Sequence, residues 1–526
     1  MFTVLPMIAP ALLITAAIVA FARPGQRPYK VLRLAEVAAL ASLAVAIGSA
    51  ALLVSQGAAT LQLVGVGDVV LSTRLDVVST SMLILVAFVG WVVLRYSVSY
   101  LDGETRQGVF VGWMLATLAA VLFLVQAGNL YQLVFGWIAT SLCLQRLLTF
   151  YRDRVQAARA GRKKLIVARA GDAALIAAAI LLSIGYGTAD IATILTAARE
   201  GDAPGTAQWA AGLLALAAVL KSAQFPMHGW LTEVMEAPTP VSALLHAGVI
   251  NAGGFLLVRF ADVMLLSPGV LAVLVVVGGI SALLGGLAML AQPAVKTSLA
   301  WSTIAQMGFM IMQCGLALFP LALLHIVAHS LYKAHAFLVS GTAVDAVAAI
   351  RRPGPVAVPR LGAVGRAFAL ALAIYAVIGF IFGIDGKSVQ AIALGAILIF
   401  GVAYLLAQGL ADAAPRALTM RTLRYSVLVS LGYFALQRGS EWLTAGTLPA
   451  TPEAGGLEWT LIVLAVFSFG LVAIAQSMFP LWAYHPAVAG LRVHLSNGLY
   501  ANALFDRLIG NWSVRHANES MQRETQ

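Results

Sequence analysis

Three residues of one apolar segment could pass a proton along it. In HIVAHSLYKAHAFLVSG, His325, His329 and Lys333 are spaced i, i+4, i+8. That spacing places them on one slowly drifting stripe of a helix, about 6 Å apart along its axis. A neutral imidazole accepts a proton on one nitrogen while donating from the other, so the stripe is a candidate relay. Two more ionisable groups belong to KSAQFPMHGWLTEVMEAPTPVSALLHAGVINAGG, where Lys221 ends one apolar run and His246 lies inside the next. A charge at membrane depth costs on the order of 2.5 to 3.5 kcal/mol even on lenient insertion scales, so it persists where it faces a polar interior or pathway. The competing reading gives each histidine a cap or a bond to a neighbouring helix. For Lys221 it is a stem snorkelling to the interface from a helix end.

A buried Lys221 calls for a carboxylate within reach. Asp172 follows Arg169 by one helical turn in RAGD, and Glu233 and Glu236 follow Lys221 in the bend. Each is a candidate partner, and Arg169 with Asp172 could equally be a structural salt bridge. Lys296 opens KTSLAWSTIAQMGFM, with Ser302 and Gln306 further along. Ser302 reads as packing glue between helices, while Gln306 is open between glue and a water-holding place on a proton path. No nucleophile, metal set or phosphate loop stands out, so the chain reads as a transport subunit and not an enzyme acting alone.

The elements that must position these groups follow from composition. Of 526 residues, 61% are hydrophobic and only 10% charged, which indicates an all-α polytopic membrane protein. Fifteen apolar runs of about 17 to 25 residues can be marked, the first near 2–22 and the last near 458–482. The first reads as a membrane helix and not a removable signal, since no basic region precedes it. Pro226, Pro238 and Pro240 predict broken helices, which membranes tolerate where they line a protein-buried cavity. Cys143 and Cys314 are the only cysteines and fit neither a disulfide scaffold nor a zinc site.

The net charge of +11 is explained by cytoplasmic loops in contact with membrane lipids, with no nucleic acid needed. With the N-terminus outside, most Lys and Arg fall in inward loops and a cytoplasmic C-terminal tail; only Arg74, Arg199, Lys387 and Arg438 fall in outward loops. Residues 56–76, alternating around Gly65 and Gly67, predict a small external β-hairpin. The basic loop 152–164 reads as a topology determinant or a docking site. The tail, with Leu499, Ala503, Leu504 and Leu508 near one face, reads as an interfacial helix or a frayed end.

These motifs, with RLDVVSTSMLILVAFVGWVVLRYSVSYL, together resemble the proton-pumping membrane subunits of respiratory complex I and the large Mrp cation/proton antiporter subunits. The resemblance covers roughly residues 74–345. It implies two inverted five-helix repeats, expected at 109–263 and 264–411. N-terminal helices with the hairpin would occupy 1–108, C-terminal helices 412–483 and a cytoplasmic tail 484–526. It matches Lys221 to a central channel lysine, His246 to the polar residue of the next helix, and His325, His329 and Lys333 to a second-half relay.

Two departures stand out. The family's fifth-helix glutamate falls on Ile138, which can neither carry a proton nor tune Lys221. The broken twelfth helix offers only Asp385 and Lys387 in a turn, with Tyr375 and Tyr404. A glutamate-less member with SLCLQRLLTFY and HSLYKAHAFLVSG is most similar to the DabB-type membrane subunits of inorganic-carbon accumulation systems. That resemblance implies an inner-membrane, multi-pass subunit that uses a proton or sodium gradient and works with a DabA-like, zinc carbonic-anhydrase-like partner. Zinc is then expected in the partner and no cofactor in this chain. The other readings are an Mrp-type antiporter or complex I subunit, and a structural membrane anchor.

Overall fold

In a computed structural model, the described residues are 4–66, 69–151, 154–340, 360–383, 386–410, 415–478, 482 and 485–508. Helices α1 (Leu5–Ala22), α2 (Tyr29–Gln56), α3 (Val77–Tyr100), α4 (Gln107–Val125) and α5 (Leu130–Leu148) form the first group. Between α2 and α3 lies an antiparallel hairpin of β1 (Ala59–Val66) and β2 (Val69–Leu75), registered Thr60 to Arg74, with a bulge between Gln62 and Val64. The alternation around the two glycines is thus borne out as a hairpin. Its base leads into the α3 cap, where Asp76 accepts from Ser79 N at 2.8 Å.

The second group holds α6 (Val155–Tyr186), the short α7 (Ile191–Arg199), α8 (Gly205–Lys221), α9 (Gly229–Glu233), α10 (Thr239–Ala247), α11 (Ala252–Arg259) and α12 (Ala261–Leu265). The prolines divide this stretch as expected. Pro238 is the N-cap of α10 and Pro240 its second residue, where a missing N–H costs nothing. A short 3-10 turn, Val249–Asn251, then separates α10 from α11. Gly253 is required where α11 crosses the end of α8, because a Cβ there would collide with Ser222 Oγ and the Ala218 carbonyl.

The third group is α13 (Pro268–Leu290), α14 (Val295–Gly315) and α15 (Phe319–Ser340). In the α13–α14 contact, Gly278 meets the Gly308 carbonyl and Gly285 meets Ala305; small residues let two membrane helices approach backbone to backbone. Helices α16 (Leu361–Phe382), α17 (Val389–Gly409) and α18 (Arg416–Thr444) share a separate apolar core around Phe434. They are followed by α19 (Gly456–Ser477), α20 (Ala489–Ser496) and α21 (Ala501–Leu508). Each of the fifteen predicted runs overlaps a helix among the described residues, where eleven spans are long and apolar enough to cross a membrane.

Two expectations change. The basic stretch 152–164 is not a loop over most of its length, because α6 starts at Val155. The tail is folded at least to Leu508: Asp506 pairs with Lys163 at 2.5 Å and with Arg159, and Gln292 Nε2 donates to the Ser496 carbonyl at 3.2 Å.

Candidate functional site

Helix α15 carries the histidine stripe into the bundle, where His329 and Lys333 are buried and His325 is half-buried. Lys333 Nζ donates to the Leu299 carbonyl on α14 at 3.1 Å. Thr303 Oγ1 donates to the same carbonyl at 3.0 Å and lies 2.9 Å from His246 Nδ1. His329 Nε2 reaches the His246 backbone carbonyl at 3.2 Å, and His325 Nδ1 lies 3.0 Å from Gln313 Oε1. The His325 and His329 ring centres are 6.0 Å apart. Asn251 donates to Ser330 Oγ at 2.8 Å and to the Ala247 carbonyl, tying the 3-10 turn to α15.

With the Thr303 hydroxyl and the Gln313 amide oriented as described, these contacts favour one tautomer of each neutral ring. Thr303 spends its only hydroxyl hydrogen on Leu299, so His246 must donate from Nδ1. A carbonyl faces His329 Nε2 and an amide oxygen faces His325 Nδ1, so those nitrogens donate as well. What is left is His246 Nε2, His329 Nδ1 and His325 Nε2, each buried without a protein partner. Three bare lone pairs therefore lie inside the bundle, one on α10 and two on α15. The carbonyls orient the rings and cannot pass protons; the bare nitrogens can receive them.

A second polar centre surrounds Lys221. Its Nζ is buried, has no hydrogen-bond partner, and lies 4.3 Å from the centre of the Trp137 ring. Lys164, on α6, is also buried and donates to the Ser141 carbonyl at 2.7 Å and to Ser141 Oγ at 2.9 Å. Asp172 pairs with Arg169 at 2.6 Å and lies within electrostatic range of both lysines. Ile138 is half-buried, one residue beyond Trp137 and one turn before Ser141, and is not among the residues that line the cavity beside Lys221.

Glu233 is not a partner of Lys221: it accepts from Lys163 at 2.6 Å and from Asn502, so it belongs to the seat of the C-terminal helix α21. Glu236 lies outside the residues whose side chains are described. Lys296 is half-buried one turn before Leu299, at the Lys333 end of α14. Gln306 is exposed and is not brought to the axis. Lys387 donates to Gln437 at 2.7 Å, while Asp385 lies outside the described residues.

Sequence reasoning missed Lys164, Thr303, Gln313 and Trp230. Lys164 and Asp172 are spaced i, i+8, the spacing that singled out His325 and Lys333, and that signal would have found it. Gln313 carried no distinguishing pattern.

Broken helices converging on buried titratable groups define a transporter-like membrane subunit. Residues 127–352 match the family described as NADH:quinone oxidoreductase/Mrp antiporter, TM, and residues 63–111 match the N-terminus of complex I chain 5. A probable inorganic carbon transporter subunit, DabB2, of Halothiobacillus neapolitanus is 38% identical over 84% of this chain and 81% of its own length. Subunit L of the NADH-quinone oxidoreductase of Pseudomonas aeruginosa is 36% identical over 52% of this chain and 45% of that protein. A chain of the solved Mrp complex from Dietzia sp. shares the fold, with a TM-score of 0.63 at 24% identity, covering 98% of this chain and 61% of that one. The chain belongs to the family of DabB inorganic carbon transporter subunits, within the complex I and Mrp antiporter superfamily.

Proposed function

We propose that this chain is the ion-conducting membrane subunit of an energy-coupled inorganic carbon accumulation complex. The observation that carries the reading is the set of three oriented imidazoles, each with a bare buried nitrogen, running from Gln313 through His325, His329 and His246 towards Lys333. These groups supply proton acceptors and no carboxylate. A sodium ion asks for a cage of oxygens, so the proton is the better-suited ion. Protons pass between the bare nitrogens by way of intervening water, and hydrogen bonds to carbonyls hold each ring in place.

The chemistry on CO2 belongs to the partner, a zinc, carbonic-anhydrase-like subunit of the DabA kind. This chain sits in the inner membrane with its N-terminus outside and its C-terminus in the cytoplasm. Ion entry changes the charge at Lys333 or Lys221 and thereby biases a conformation that the partner senses. One charge crossing about 100 mV is worth about 2.3 kcal/mol, which shifts a two-state equilibrium roughly fiftyfold. In cells that depend on the complex, His329→Ala is expected to abolish bicarbonate accumulation while the complex still assembles. Undiminished accumulation in that variant would remove the relay from the mechanism, and a pulldown lacking a zinc-bearing partner would remove the assignment of the hydration step.

A further inference from the structure

The cavity beside Lys221 is incomplete in the opposite sense to the histidine axis. It is partly open and has a volume of about 20 Å³, room for one or two water-sized groups. Among the described residues its only charged lining groups are Lys164 and Lys221, and no carboxylate lines it. Lys221 Nζ has no hydrogen-bond partner, and the same is true of Nε1 of Trp230, which also lines the cavity. Both groups can only donate. Ser141 Oγ, a third lining group, already accepts from Lys164, which leaves its hydrogen to be given away. Outside the lining, the single carboxylate of Asp172 lies within electrostatic range of Arg169, Lys164 and Lys221 and 2.6 Å from Arg169, with neither oxygen accepting a hydrogen bond, so one anion stands against three cations.

Buried donors without acceptors, and cations in excess of anions, are costly in a low-dielectric interior unless something accepts and neutralises. We propose that this cavity is a binding site for one small inorganic monoanion of chloride size, held by Lys221 Nζ, Trp230 Nε1 and the Ser141 hydroxyl with Lys164 behind it. Isoleucine at 138 fits this reading. A glutamate there would supply the negative charge from the protein itself, and without one the charge comes from solution. The anion sets the electrostatic environment of Lys221 and makes activity respond to the anion of the medium. The site stands independently of the inorganic-carbon reading, since it concerns binding and not uptake.

The full chain in lipid nanodiscs is titrated with chloride or bromide against gluconate at constant ionic strength, reading thermal stability and tryptophan emission. Chloride and bromide are expected to raise the melting temperature saturably, and gluconate, too large for the cavity, is not. Trp230→Phe, which keeps the ring and removes the N–H, is expected to weaken the halide midpoint at least about fivefold, the worth of one hydrogen bond. Lys164→Met is expected to abolish the response. A bromide site located by anomalous scattering at Lys221 would support the assignment independently of stability. Equal stabilisation by gluconate, or an unchanged midpoint in a folded Trp230→Phe protein, would overturn it. A response to bicarbonate alone would overturn the chloride-sized assignment.

Discussion

The two polar regions lie on either side of one short helix and differ in what each lacks. Leu245 of α10 lines the lysine cavity, while its neighbour His246 meets Thr303 and the histidine axis. Successive residues of a helix point about 100° apart, so α10 serves as a wall with a different chemistry on each side. Among the described residues no hydrogen bond joins Lys221 to His246. On the axis side, protein groups satisfy the donors and leave bare acceptor nitrogens; in the lining of the lysine cavity the bare groups are the donors of Lys221 and Trp230, with the Asp172 carboxylate beyond the lining. A bare lone pair invites a proton and a bare N–H invites an anion. One bundle thus holds two sites of different chemistry, with α10 between them.

The largest change to this comparison should come from loosening the wall itself. Helix α11, which continues α10 beyond the 3-10 turn, ends at Arg259, whose Nη1 meets Asp76 at 2.5 Å in a site where both side chains are almost fully buried. Arg74 adds a second contact to Asp76 at 2.6 Å. Burial alone would push the Asp76 carboxyl up, but Arg259 and Arg74 outweigh it and hold it well below the usual carboxylate range. Asp76→Asn leaves a buried arginine uncompensated and is expected to cost about 3–5 kcal/mol, read as a drop in melting temperature in nanodiscs. Because the folded carboxyl titrates below its unfolded value near about 3.9, the ion pair's contribution is complete above that pH and is lost only as pH falls well below it. Stability from this pair should therefore be flat between pH 6 and 8. A steep pH dependence of uptake in that window then has to come from other groups.

A smaller and more local break tests whether His246 belongs with the axis. Thr303→Val keeps the shape of the side chain but removes the acceptor for His246 Nδ1 and the second donor to the Leu299 carbonyl. One hydrogen bond is worth about 1 kcal/mol, so bicarbonate accumulation should fall about fivefold and Thr303→Ser should restore it. Undiminished accumulation in a folded Thr303→Val protein would mean that His246 does not act with the axis.

How much of this was legible without coordinates follows from where the physics is local. The stripe His325, His329 and Lys333 was readable because helical periodicity alone puts these residues on one face. The broken helices were readable from Pro226, Pro238 and Pro240, and the hairpin from alternation around glycines. The pairing of Glu233 with Lys163 was not, since it depends on a C-terminal helix folding back to seat Asn502 and Asp506 against α6 and α9. Nor could Gln306 be separated from Gln313. Both lie on α14, and their different exposure is decided by which neighbours pack there. Lys164 was lost for a third reason: hydropathy windows count its charge as the end of a loop, although α6 carries it inside.

The smallest expected effect is also the most discriminating between the two sides of α10. Ile138→Glu would place a carboxylate one turn from Ser141, beside the lysine cavity and away from the axis. If the cavity's deficit is negative charge, the new carboxylate supplies it. Halide dependence of the melting temperature should then disappear, while accumulation changes only about two- to threefold, the scale of a coupling shift near 0.5 kcal/mol. The axis hydrogen bonds involve no residue of α5, so Thr303→Val should have the same effect in the Ile138→Glu background as in the original chain. Loss of accumulation as complete as that of His329→Ala would show instead that the two regions share one conducting path, with α10 as part of the route and not a wall.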